Sequence, residues 1–427
     1  MAMFIMLILL IVLAVIGVPL AFSIGASALI YMQTNVPHLI PMLPQRVWGG
    51  VFSFVMIAMP LFIFAGELMN TGGITKRIIN LCMYLVKPFR GGLGEVNIVS
   101  SMLFGGISGS SVADTSAIGS VMIPSMEENG YPSKFAAGVT VASSTMGMII
   151  PPSVPMIVYA MVSGASVGNL FIAGLIPGLM IGISQLFLVF FISRKKGYHP
   201  PKTPFVLIDF LKAILSGVPA LAMPVIIVVF VSFGVTTASE SAGVAVFYAL
   251  LVGFFVYREL TIQKVIKALK KTFIASSSIM IIIGFTTIFT WLLTMANIPT
   301  VVASFFLALD MPLWGYVILF DIIILLLGTF IDVTPAILLL SPILLPVMQS
   351  VGVSELQFGA MMITGLGIGL VTPPVGMCLN ACTKINRMPI LQIFKGALPF
   401  IICNIVVLVL ISLVPALTTW LPSVLSY

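Results

Sequence analysis

The chain has 427 residues, 60% of them hydrophobic and 7% charged, whereas a soluble domain carries roughly a quarter of its residues as Asp, Glu, Lys and Arg. Water cannot solvate most of such a surface, so the composition excludes a soluble enzyme or binding module and predicts a membrane domain from end to end. The net charge of +7 does not point to nucleic acid, because the basic residues fall in loops between apolar runs, where orientation in a membrane accounts for them.

Apolar runs over residues 4–30, 51–64, 170–192, 274–295 and 401–414 approach or exceed the ~20 residues with which an α-helix crosses a bilayer. No stretch alternates as a barrel strand does, and backbone groups in lipid must then be satisfied within helices, so the chain is expected to be an all-α polytopic membrane protein. The first 31 residues lack the basic start and cleavage site of a secretory signal and are read as retained helix. Gly17, Pro19 and Gly25 leave open whether that run is one tilted helix or two short ones.

Two segments repeat at one offset of 222 residues: Pro124 with Pro346, Gly130 with Gly352, Gly147 with Gly369, and Pro151-Pro152 with Pro373-Pro374. Extending the register pairs 51–64 with the run around 273–285, and 170–192 with that around 392–414. Basic residues then orient each half, because cytoplasmic loops concentrate Lys and Arg. Lys76, Arg77, Lys87 and Arg90 precede a Gly-rich stretch, 91–126, and Lys134 follows it. Both flanks are therefore cytoplasmic, which makes 91–126 a re-entrant hairpin with a polar tip. Two crossings lead to Arg194, Lys195, Lys196 and Lys202, and two more to Arg258, Lys264, Lys267, Lys270 and Lys271. The matching hairpin, 313–349, is then entered from outside, and the chain returns to Lys384, Arg387 and Lys395 before a charge-free end, 397–427. Of 19 basic residues, Arg46 alone falls on the outer side. The cores of the two repeats span 74–196 and 297–418, joined by scaffold helices and a basic cytoplasmic helix over 197–271.

Inverted repeats with interrupted helices mark a secondary-transport site. Each repeat offers a polar hairpin tip followed by a helix broken by Gly and Pro-Pro. The first break runs from Ser143-Ser144-Thr145 through Gly147 to Pro151-Pro152-Ser153, and the second from Thr364-Gly365 through Gly367 and Gly369 to Thr372-Pro373-Pro374. Pro removes a donor and Gly lets the chain leave the helix, so carbonyls are freed near the midplane. With nearby hydroxyls and a carboxylate they form a hard-oxygen cage suited to Na⁺. Asp114 and Asp332 give each hairpin a carboxylate, costly at membrane depth unless it serves a purpose. Either could instead cap the second helix of its hairpin.

Other polar residues carry less. Glu67 and Glu240 lie near span ends and are read as interfacial, whereas Asp321 sits inside an apolar hairpin arm. His38 and His199 have no catalytic companion, and no His or Lys is placed to activate a tip serine. Cys82, Cys378, Cys382 and Cys403 are read as packing thiols, since no metal-ligand spacing surrounds them. Lys264, Lys267 and Lys271 suggest a basic face on the cytoplasmic membrane surface, for which orientation alone is the simpler account.

At its hairpins the sequence resembles the large membrane (M, or DctM-like) subunit of tripartite ATP-independent periplasmic (TRAP) transporters, over essentially the full length. The resemblance rests on Gly105-Gly106-Ile107-Ser108-Gly109-Ser110-Ser111-Val112-Ala113-Asp114-Thr115, Ile150-Pro151-Pro152-Ser153, Gly328-Thr329-Phe330-Ile331-Asp332 and Val371-Thr372-Pro373-Pro374-Val375-Gly376. It implies an elevator-type, ion-transporter-like fold in a bacterial or archaeal inner membrane. It also implies Na⁺ coupling, a small four-helix Q subunit, a periplasmic substrate-binding P subunit and a carboxylate-bearing small organic anion as cargo. With no four-helix segment ahead of Met1, the Q subunit is expected to be a separate polypeptide. General similarity is greatest to the sialic acid type. By the same analogy one Na⁺ site involves Ser108, Ser110, Asp114, Thr145 and Gly147, and a second Gly328, Asp332, Thr334, Gly367, Gly369 and Thr372. The substrate region is placed around Ser111, Ser144, Pro151, Pro152, Ser153, Pro373 and Pro374. A stand-alone Na⁺- or H⁺-coupled carrier and a non-transporting membrane scaffold are the competing readings; dependence on a binding protein separates the first, and tolerance of Ala at both aspartates the second.

Overall fold

A computed structural model describes residues 2–86, 92–198 and 207–425, so Lys87, Arg90, Gly91, His199 and Lys202 lie outside the described residues. The N-terminal run forms two helices, α1 (Ala2–Val15) and α2 (Leu20–Asn35). They part where Gly17 takes φ +96° and Pro19 has no N–H to continue a helix. A 3-10 turn (Pro37–Met42) leads to α3 (Leu43–Val51) and α4 (Phe54–Thr71). The first repeat then comprises α5 (Ile74–Val86), α6 (Leu93–Ser108), α7 (Ser111–Glu128), α8 (Ser133–Ser143), a 3-10 turn (Ser144–Met148), α9 (Val154–Ser163) and α10 (Val167–Lys196).

Between the halves lie α11 (Leu207–Ser232) and α12 (Ala238–Leu251), the latter ending in a π-helical turn, Val252–Val256. The second half comprises α13 (Ile262–Met295), α14 (Ile298–Leu307), α15 (Leu313–Gly328), α16 (Val333–Ser350), α17 (Glu355–Gly369), α18 (Met377–Asn386), α19 (Ile390–Leu413) and α20 (Ala416–Leu425). Every described element is helical, and seven of the helical segments are long and apolar enough to cross a membrane.

The repeat is visible helix by helix. The bounds of α7 and α16 differ by 222 residues at both ends, as do the first residues of α8 and α17. Gly130 and Gly352, which turn the chain after the hairpins, have φ of +83° and +93°, a region that favours glycine. Pro151-Pro152 and Pro373-Pro374 are both cis. By the same offset α4 and α5 correspond to α13 and α14.

Helices α6, α8, α16 and α17 are buried along most of their length, whereas α1, α11 and the ends of α13 expose many large apolar side chains. The hairpins and breaks thus form the interior, within a frame that includes α2, α3, α4, α11, α12 and α13. Lys264, Lys267, Lys270 and Lys271 lie in the first turns of α13 rather than on a separate surface helix. Its 34 residues reach about 51 Å at 1.5 Å per residue, so a basic end projects beyond a ~30 Å hydrocarbon core.

Candidate functional site

Both hairpins turn where their sequences permit little else. Gly109, at φ +60°, ends α6, and Ser110 caps α7 by accepting from the Ala113 N–H. In the second hairpin Asp332 caps α16, its Oδ1 accepting from the Val333 N–H at 2.8 Å. The 222-residue register pairs Asp332 with Ser110, not with Asp114, whose counterpart is Ala336. The expectation that both aspartates could act as caps therefore holds for Asp332 alone, and the two carboxylates are not symmetry equivalents.

Asp114 sits in the first turn of α7, fully buried, with neither carboxylate oxygen hydrogen-bonded. Ser101 is the side-chain donor that faces it, but its hydroxyl is at hydrogen-bond distance, 3.0 Å, from Ser143. Beside Asp114 the chain passes the first break at close range. A Cβ added to Gly147 would lie 3.2 Å from the Ser110 carbonyl oxygen and 3.3 Å from Asp114 Cβ. In the second half a Cβ on Gly369 would lie only 2.3 Å from the Gly328 carbonyl carbon, so backbone packs on backbone and only glycine fits. The Val375 N–H also donates to the Thr329 carbonyl at 3.3 Å, tying the second break to its hairpin.

The halves meet at these points. A Cβ on Gly367 would contact Met148 Sδ at 3.1 Å and approach the Thr145 carbonyl at 3.9 Å. Thr145 donates its hydroxyl to the Ala142 carbonyl at 2.8 Å and accepts from Asn404 Nδ2 at 3.1 Å. Gln185 Nε2 in turn donates to Asn404 Oδ1 at 2.8 Å and to the Ala142 carbonyl at 3.2 Å. Thr115 donates to Ser144 at 2.7 Å. Cys378, buried on α18, interacts with Thr115 and Ser144 and lies within electrostatic reach of both Asp114 and Asp332.

A cavity of about 340 Å³ lies where the tips converge, lined among others by Ser108, Ser110, Ser111, Asp332 and Thr334. Asp332 is exposed to it, whereas Asp114 stands behind the tip. Of the residues expected near substrate, Ser111 lines this cavity. Pro151 instead lines an apolar pocket against Leu221 and Pro224 of α11, Ser153 caps α9, and Ser144 is buried against Thr115. Pro152 is buried, while Pro373 is half-buried and Pro374 exposed. Thr372 donates to the Ile368 carbonyl at 2.9 Å.

Sequence patterns alone missed several residues here. Glu67 and Asn70 of α4 line the cavity, although Glu67 was expected at the interface. Gln185 and Asn404 carried a signal, being lone amides within paired apolar runs. Asp321 accepts from Ser412 at 3.1 Å, with Oδ2 unpaired.

A family profile, "Tripartite ATP-independent periplasmic transporter, DctM component", matches residues 7–417. The sialic acid TRAP transporter large permease protein SiaM of Vibrio cholerae is 38% identical over 408 residues, covering 95% of each chain. The isethionate TRAP transporter permease protein DctMQ of Oleidesulfovibrio alaskensis is 34% identical over 403 residues, 94% of this chain and 64% of the relative. Among solved structures, the YdaH transporter of Alcanivorax borkumensis superposes with a TM-score of 0.61 over 90% of this chain and 88% of its own, at 13% identity, a likeness of fold.

Proposed function

Because the chain belongs to the DctM component family of TRAP transporters, we propose that it is the large subunit of a Na⁺-coupled importer for a carboxylate-bearing small molecule, with sialic acid as the leading candidate. The family's members are permeases, so the chain is a transporter and not an enzyme, and it is a multi-pass protein of the bacterial inner membrane. The observation that carries the coupling proposal is Asp114. An ionised carboxylate that is fully buried with no hydrogen bond costs several kcal/mol unless a metal cation or a proton neutralises it.

The oxygens around it are of the hard kind that Na⁺ prefers. Ser108, Ser110, Asp114 and the chain at Thr145 and Gly147 would hold one ion. Thr145 would offer its carbonyl, since its hydroxyl is already engaged. Gly328, Asp332, Thr334, Gly367, Gly369 and Thr372 would hold another. Bound there, Na⁺ would supply the charge that the carboxylates lack and join each tip to its break. Ser111 and Thr334, buried in the lining of the shared cavity, would then meet the cargo. The two halves would move as one hairpin-and-break unit against the frame in an elevator stroke, with α5 and α14 as symmetric connectors.

Sialic acid is favoured by the 38% identical relative, while the relative named for isethionate shows that the family carries more than one organic anion. The word tripartite implies a periplasmic binding protein and a small membrane subunit beside this chain. The longer relative named DctMQ supports a Q-type partner. Uptake of labelled sialic acid into proteoliposomes holding this chain and its small partner tests the proposal. Uptake should require both an inward Na⁺ gradient and the periplasmic protein, and Asp114→Asn and Asp332→Asn should each lower it at least tenfold. Uptake without the binding protein would indicate a stand-alone carrier.

A further inference from the structure

The tip cavity is not closed. It shares Glu67, Asn70, Ser110, Val112 and Ala113 with a second cavity of about 740 Å³, a size that accepts a small organic ligand. Lys76 and Lys271 line the larger space, and both belong to the loop and helix ends assigned to the cytoplasm by their charge. A route therefore runs from the hairpin tips to the cytoplasmic face, with hydroxyls of Thr71, Thr75, Ser116 and Ser120 along its wall.

Charge on this wall is unevenly committed. Glu259 pairs with Arg77 at 2.7 Å, and Arg77 also stacks on the Tyr257 ring at 3.9 Å and donates to the Gly73 carbonyl at 2.9 Å. That pair is fixed from three directions. Lys271 of α13 has one acidic partner, Glu67 of α4, at 3.2 Å, with side chains 52% and 25% exposed. Lys76 has no ion pair among the described residues. An ion pair this exposed is worth no more than about a fivefold preference, so one carboxylate can replace another on Lys271 at little cost.

We propose that Lys271, supported by Lys76, is a transient binding station for the carboxylate of the departing cargo, and that Glu67 is its resident competitor. The inference rests on the reading of the chain as a carboxylate importer. Lys271 stands on the frame while the tips belong to the moving unit, so the cargo's carboxylate gains a cation only when the tips face the cytoplasm. Glu67 then recovers Lys271 as the cargo leaves, which keeps the station weak and release fast.

The test uses proteoliposomes with all three components, N-acetylneuraminate as probe, and the luminal concentration that gives half-maximal exchange on the cytoplasmic side. Lys271→Gln should raise that concentration roughly three- to fivefold, and Glu67→Gln should lower it by a similar factor, because Lys271 loses its competitor. Lys271→Arg should retain the wild-type value. A merely structural ion pair predicts shifts of the same sign in both Gln variants, and that result, or values within about twofold of wild type, overturns the station while leaving the importer reading intact. Succinate serves as a second carboxylate probe in the same measurement, and wild-type protein that takes up neither N-acetylneuraminate nor succinate overturns the carboxylate-importer reading and the station with it.

Discussion

Asp114 concentrates the problem that the site must solve. In a water-free interior an unpartnered carboxylate destabilises the fold, and removing its charge relieves that cost. A bound cation adds stability in proportion to the logarithm of its concentration above Kd. Thermal unfolding of the detergent-solubilised complex should therefore shift upward with Na⁺ but not with K⁺ at equal ionic strength. Asp114→Asn should unfold no earlier than wild type without Na⁺ and lose most of the Na⁺-dependent shift. An unchanged shift in that variant would remove Asp114 from any ion site. Asp332 differs because it already accepts from the Val333 N–H and faces the cavity. Asp332→Ala should also weaken the start of α16, as loss of an N-cap costs about 1 kcal/mol, whereas Asp332→Asn keeps a capping side chain.

Among the elements, α10 and α19 are tied to the first break by Gln185 and Asn404, which converge on the Ala142 carbonyl. Both amides are fully buried, so removing either leaves the other short of the hydrogen bond between them. Asn404→Leu should destabilise the protein by about 1 kcal/mol, the scale of a hydrogen bond between helices in a membrane. The double variant Gln185→Leu/Asn404→Leu should cost less than the sum of the two singles, since no amide is then left unpaired. Additive losses in equilibrium unfolding would mean that the amides act separately. The orientation of the elements is consistent with their charges. Lys271 and Trp291 lie on one helix, α13, twenty residues or about 30 Å apart. Arg46, the basic residue expected outside, stacks on Trp291 at 4.5 Å.

For the whole molecule, frame and hairpin unit touch where Gly66 of α4 meets the end of α6. A Cβ on Gly66 would lie 3.1 Å from the Ile107 carbonyl oxygen and 3.7 Å from Ser108 Cα. That proximity suits a disulfide. Ser108→Cys alone alters a proposed Na⁺ ligand and sets the baseline; in the double variant Gly66→Cys/Ser108→Cys, oxidation should abolish the uptake that this single variant retains and a reductant should restore it, with Ser108→Cys alone insensitive to both. Continued uptake by the cross-linked protein would show that α4 and α6 do not separate during transport, against an elevator stroke.

Composition by itself determined that the chain lives in a membrane, because 7% charge leaves no other solvent for its surface. The 222-residue register also determined the two halves and both breaks, since Gly and Pro act on the backbone locally and leave the same mark wherever they occur. The pairing of Asp332 with Ser110 is present in that register too. What tertiary structure alone decided was which residues meet. Glu67 and Lys271 are 204 residues apart, Gln185 and Asn404 are 219, and a contact across such separations depends on how helices pack rather than on any local pattern. The split of the first apolar run into α1 and α2 was likewise undecided until Gly17 was found at φ +96°, because glycine permits that conformation without requiring it.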